Sequence, residues 1–155
     1  MFIFRLQKAL EHREEEEDRL KKEFLLKKNR LDQEKEKLIE ANNLINRTIH
    51  EFNNLRTGKL NPISLRNYET YLKKIKNDKQ IQDGIVREWH RLTEQAKDSF
   101  VESRKERKVL EKLKEKKLEI YKLEKIKEEQ KFIDELSNSM YNNRRNSYEE
   151  REKRS

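Results

Sequence analysis

The chain has 155 residues, of which 45% are charged and 32% hydrophobic, and its formal net charge is +8. That apolar share excludes a broad globular core at this length, but it suffices for a narrow seam between two long helices, where about two residues in seven are buried. The absence of cysteine excludes disulfides and thiolate metal sites, and fits a reducing compartment.

Only two glycines and one proline interrupt a composition rich in Glu, Lys, Arg, Leu and Gln, which favours helix over disorder. The predicted fold is all-α: a long two-stranded antiparallel coiled-coil hairpin with a longer second helix. At the start, Met1-Phe2-Ile3-Phe4 is too short for a signal-peptide apolar region and Arg5 ends it. No apolar run approaches the ~18–20 residues of a membrane span. These features lead to the expectation of a soluble intracellular protein.

From Ile3 to Leu55 apolar residues alternate at three and four, through Leu6, Leu10, Leu20, Phe24, Leu31, Leu38, Ala41, Ile45 and Phe52. This is a coiled-coil seam, and its polar members (Arg13, Glu17, Lys27, Glu34, Thr48) set register at a cost in stability. Outside it, Glu15–Arg19, Glu17–Lys21 and Asp18–Lys22 stand at i,i+4 in the favourable order. The predicted helix spans about 3–55.

The hinge is predicted over 56–63, where Gly58 and Pro62 lie. Gly58 is the expected left-handed cap of the first helix, and Ser64 the expected N-cap of the second. Proline cannot donate a backbone hydrogen bond and pushes Asn61 out of the α region, so the chain turns back here.

A second seam then runs through Leu65, Tyr68, Leu72, Ile75, Val86, Trp89, Ala96, Phe100 and Leu110, in a helix predicted over about 64–140. Gly84 is read as a weak spot within it and not as a turn. Folding at the hinge puts Ile3 opposite roughly Lys116. Residues from about 117 to 140 then have no mate within the chain, although Ile120, Leu123, Ile126, Phe132, Ile133 and Met140 keep helical spacing. Such a stripe is a docking surface for a partner or for a second copy. Residues 1–140 form one predicted hairpin domain, and 141–155, with Asn142, Asn143 and Asn146, a flexible tail.

Nothing here supports catalysis or cofactor binding. His12, His50 and His90 are scattered without metal-ligand spacing, and Gly58-Lys59 lacks the rest of a phosphate loop. The expectation is a non-enzyme with no catalytic, cofactor or metal site. Charge is uneven: residues 1–57 hold 13 Lys+Arg against 12 Asp+Glu, so most of the excess falls in the second half and favours an acidic partner. Acids are interleaved with the bases throughout, which argues against nucleic acid.

Two stretches resemble a known family. Phe4-Arg5-Leu6-Gln7-Lys8-Ala9-Leu10-Glu11-His12-Arg13-Glu14-Glu15 is similar to the start of FliJ, a small coiled-coil component of the bacterial flagellar type III export apparatus. The run Arg107-Lys108-Val109-Leu110-Glu111-Lys112-Leu113-Lys114-Glu115-Lys116-Lys117, with Tyr121 and Glu129-Gln130-Lys131-Phe132-Ile133-Asp134-Glu135, resembles that family's C-terminal signature. Ser137 departs from the family pattern, where a small apolar residue is common.

The resemblance implies a hairpin like the stalk subunit of rotary ATPases, binding and stimulating the export ATPase ring. It also implies contacts with the membrane-embedded export gate and with export chaperones, at the cytoplasmic face of the inner membrane at the flagellar base. By position, Phe2, Phe4, Leu6, Leu10, Arg107, Lys108, Lys112, Lys116, Ile120, Tyr121, Leu123 and Phe132 would face the ATPase. Phe52, Tyr68, Tyr71 and Ile75 would face the gate. Weak self-association accompanies this reading; a structural homodimer and a nucleic-acid-binding coiled coil are its alternatives.

Overall fold

The computed structural model describes residues 1–58 and 61–152, with side chains to Arg145. Two helices account for nearly all of it: α1 (Gln7–Arg56) and α2 (Pro62–Glu152). They pack against each other as an all-α helical hairpin, and the described residues contain no strand.

The helix ends differ from the sequence expectation. α1 begins at Gln7 and not near Ile3, because no capping side chain precedes it. The Gln7 amide instead donates to the Phe4 carbonyl at 3.0 Å, a tight turn that starts the helix. At its other end the Gly58 amide donates to the Leu55 carbonyl at 3.1 Å, and the Thr57 hydroxyl to the Asn54 carbonyl at 2.7 Å. Gly58 does not take the left-handed conformation expected of it, since this i,i+3 closure works at negative φ. Lys59 and Leu60 of the predicted turn lie outside the described residues.

α2 opens at Pro62, two residues earlier than expected, because Asn61 and not Ser64 is its N-cap. The Asn61 side-chain oxygen accepts from the Ile63 amide at 3.1 Å, and its carbonyl accepts from Leu65 at 3.2 Å. Pro62 then fills the first helical position, where its missing N–H is no loss. The proline expected to act as a helix stop therefore starts the second helix, with five residues between it and the end of α1 at Arg56. Beyond Met140 the helix continues to Glu152, so the loss of apolar periodicity there does not end it. Residues 153–155 of the predicted tail are outside the described set.

The chain divides into two units. The first is His12–Arg107. Its seam buries Leu31, Ile45, Ile75 and Ala96 together with the polar Glu34, Thr48, Thr93 and Ser103. Leu31, Glu34, Ile45 and Thr48 fall on the first predicted seam frame and Ile75 and Ala96 on the second, whose three-four spacing also takes in Thr93 and Ser103. Phe24 stacks on Phe100 at 6.2 Å, and Phe52 tilts against Tyr68 at 5.8 Å. Thr48 and Thr93 close their hydroxyls onto the Leu44 and Trp89 carbonyls one turn back, which lets a polar residue sit in an apolar layer. Glu17 reaches Arg107 across the hairpin instead of Lys21 along its own helix, and Arg13 joins Glu106 at 2.8 Å. Gly84 lies within α2 without a turn, and nothing stands within 4 Å of where its Cβ would be.

The second unit joins Met1–Glu11 to the chain from Lys108 onward. Phe4 and Leu10 are buried in it. The Phe2 ring lies 5.7 Å from that of Tyr121, and the Lys114 ammonium donates to Gln7 Oε1 at 2.9 Å. The pairing thus reaches Tyr121, about one turn past the expected limit near Lys116.

Candidate functional site

Three surfaces are candidates for partner binding. The first is the N-terminal end of the hairpin. Phe4 and Leu10 are buried there, Phe2 and Tyr121 are half-buried against each other, and Leu6 is exposed at its edge. The Met1 ammonium donates to the Tyr121 hydroxyl at 3.0 Å. Lys108, Lys112 and Lys116 are exposed along α2. In the other unit, the guanidinium of Arg107 is engaged with Glu17 and half-buried.

The second surface begins where that packing stops. Every described side chain from Lys122 to Arg145 is exposed. Leu123, Ile126, Phe132, Ile133, Leu136, Met140 and Tyr141 are between 44% and 69% accessible, and Ile120 just before them is 47% accessible. Of the residues expected to meet the ATPase, Ile120, Leu123 and Phe132 thus lie open, whereas Phe4 and Leu10 serve packing. Leu136 and Tyr141 belong to the same exposed stretch and were missed, because neither falls on the strict three-four frame. Lys125 pairs with Glu128 at 3.1 Å, and that contact raises the Lys125 pKa above its ordinary value. Local pairs of this kind support a helix that buries little.

The third surface is hinge-proximal. A groove of about 240 Å³ is lined by Thr48, Phe52, Tyr68, Glu69 and Leu72. Tyr71 is exposed nearby, whereas Ile75 is buried in the seam and presents no surface. Of the four residues assigned to this face by resemblance, Phe52, Tyr68 and Tyr71 have accessible area.

The seam of the His12–Arg107 unit contains a polar layer. Glu34 is only 2% accessible. Gln82 Nε2 donates to its Oε2 at 2.7 Å and to its backbone carbonyl at 3.0 Å, while Arg30 and Lys37 meet its Oε1 at 2.9 and 3.0 Å. The Gln82 hydrogen bond, and then the one from Lys37, holds the Glu34 carboxyl below its usual pKa. Arg30 also lies 5.9 Å from the Trp89 ring centre, a cation–π distance. Such a fully bonded polar layer fixes register, since a slip of either helix would strand a buried carboxylate.

Among the described residues no acidic or histidine cluster could hold a metal, and no helix is long and apolar enough to cross a membrane. The fold is that of an all-α helical hairpin with exposed apolar and basic faces. Comparison with family models matches the flagellar FliJ protein over residues 1–146, and the chain belongs to the FliJ family. Comparison with curated proteins finds no match, and comparison with solved structures finds none. Membership gives the chain a role in flagellar protein export, among the components of the export apparatus at the flagellar base, in a family of non-enzymatic export components.

Proposed function

We propose that the chain binds and stimulates the flagellar export ATPase through the end of the hairpin and the helix beyond it, and links that ATPase to the export gate and to export chaperones. The observation that carries this reading is the exposed stretch from Leu123 to Tyr141. It keeps seven large apolar or aromatic side chains in solvent with no mate among the described residues. A helix presenting such a stripe beside Lys108, Lys112 and Lys116 suits a ring opening with acidic and apolar lining. The hinge-proximal groove at Phe52 and Tyr68, with Tyr71 beside it, is the complementary face for the gate, at the cytoplasmic side of the inner membrane.

Co-purification with the cognate export ATPase tests the reading. The full chain should bind; a version ending at Tyr121, which keeps the Phe2–Tyr121 contact, should not. Phe132→Asp in the full chain should weaken binding at least tenfold. Undiminished binding by the shortened version would overturn the assignment of this face.

A further inference from the structure

Three lysines among the described residues are half-buried: Lys27, Lys79 and Lys114. Lys27 pairs with Glu23 at 2.7 Å, and Lys114 donates to Gln7 Oε1 at 2.9 Å. Lys79 has neither an ion pair nor a hydrogen bond among the described residues. It stands on the second seam, at the three-four spacing between Ile75 and Gln82. The other charged residues of the two seams, Arg13, Glu17, Lys27, Glu34 and Arg107, all have partners. A lysine in such a layer lowers stability, and a half-buried ammonium without a counterion adds to that cost.

Lys79 lines an open groove of about 470 Å³ together with Ile45, Lys76, Gln80 and Asp83, all within the His12–Arg107 unit. Asp83 is taken by Arg87 at 2.7 Å, and Lys76 is exposed and also unpaired among the described residues. The surrounding sequence has the same sign. Residues 41–80 hold eight Lys and Arg against three Asp and Glu, whereas residues 12–40 and 81–107 together hold fifteen against sixteen. The excess positive charge of the unit is therefore gathered in the half that carries this groove, where it attracts an anion.

The lining selects among anions. Its described residues include no arginine, and α2 runs unbroken through Lys76 and Asp83, so the amides there are engaged within the helix. A phosphate, which favours bidentate donors and free amides, finds only point charges. Ile45 gives an apolar wall to a short methylene stem, and the Asp83 carboxylate disfavours a dianion. A glutamate side chain meets each of these conditions. We infer that this groove receives an acidic peptide, one glutamate of which pairs with Lys79 and Lys76. The inference is independent of the ATPase and gate readings, since it names only the chemistry of the ligand.

Fluorescence anisotropy of a labelled hexaglutamate peptide with the full chain, at physiological ionic strength, is the first test. Lys79→Gln should raise the Kd about fivefold, as loss of a half-buried pair does. Lys73→Gln removes the same charge from an exposed position on the same helix and should change the Kd less than about twofold. Inorganic phosphate at matched ionic strength should not displace the peptide. A single-stranded oligonucleotide of equal charge should bind more weakly than the peptide.

Stability of the chain without peptide is the second test. Lys79→Met keeps an unbranched stem and removes the uncompensated charge. It should raise the urea midpoint while weakening peptide binding as much as Lys79→Gln does. A lysine that served folding would instead lower the midpoint on replacement. Equal losses of affinity in Lys73→Gln and Lys79→Gln would reduce the binding to net charge and overturn the proposal. Displacement by phosphate, tighter binding of the oligonucleotide, or a urea midpoint that fails to rise in Lys79→Met would each overturn it as well.

Discussion

Two stretches of α2 are built from the same alphabet and meet opposite fates. Between Leu65 and Ser103 the side chains of Ile75, Thr93, Ala96 and Ser103 are buried, and one of every three or four residues faces α1. Between Lys122 and Arg145 the spacing of Leu123, Ile126, Ile133 and Met140 is as regular, yet every described side chain is exposed. Composition does not separate the two. What separates them is a second helix alongside, so periodicity reports the capacity to be buried, and only a mate realises it.

The largest expected effect sharpens that contrast. Leu31→Ala removes a buried seam residue and should lower stability by about 2–4 kcal/mol, because the thin seam collapses poorly onto the gap. Ile133→Ala, measured in dilute solution, should change stability by less than about 0.5 kcal/mol, as an exposed substitution does. Urea unfolding followed by circular dichroism compares the pair. Equal losses would mean that the helix beyond Tyr121 is buried within the monomer.

The seam was legible in the sequence because a two-helix core obeys one rule of spacing. Phe4 was not placed in that frame and is nevertheless buried, since the chain before Gln7 is not helical and helical spacing does not apply to it. The hinge was legible as a place but not as a mechanism. Asn-Pro reads as a stop, and the same two residues cap and open α2 through the Asn61 side chain. The partners of the charged residues were the least legible. Glu17 has Lys21 one turn away and Arg107 across the hairpin, and only the packed structure decides between them.

Capping supplies the next effect in size. Asn61→Ala should cost about 1 kcal/mol, the usual loss of an N-cap, whereas Ser64→Ala should cost only a few tenths. If Ser64→Ala were the costlier change, α2 would begin where the sequence suggested and not at Pro62. Smaller and opposite in sign is Gly84→Ala. It fills open space on a continuous helix and should stabilise by about 0.5–1 kcal/mol. A loss of stability there would mean that the backbone at Gly84 is needed for a close approach that the hairpin alone does not contain.

The subtlest test returns to the two kinds of charge. Glu34 is buried and held below its ordinary pKa of 4.5 by Gln82 and Lys37, whereas Glu88 is exposed and lowered by its helical neighbour Arg91. A carboxyl whose folded pKa is depressed favours the folded state when ionised. Its contribution is therefore complete above about pH 4.5 and disappears as the pH falls through the depressed folded value. Stability should be level with respect to both groups near neutrality and decline on acidification. Salt separates them, since the exposed Glu88–Arg91 pair is screened, whereas Glu34 is buried and its foremost partner, Gln82, is uncharged. Acid unfolding at high salt should thus keep the part of the pH dependence that Glu34→Gln removes and lose the part that Glu88→Gln removes. If salt erased both alike, the polar layer would not be sealed between the helices and could not fix their register.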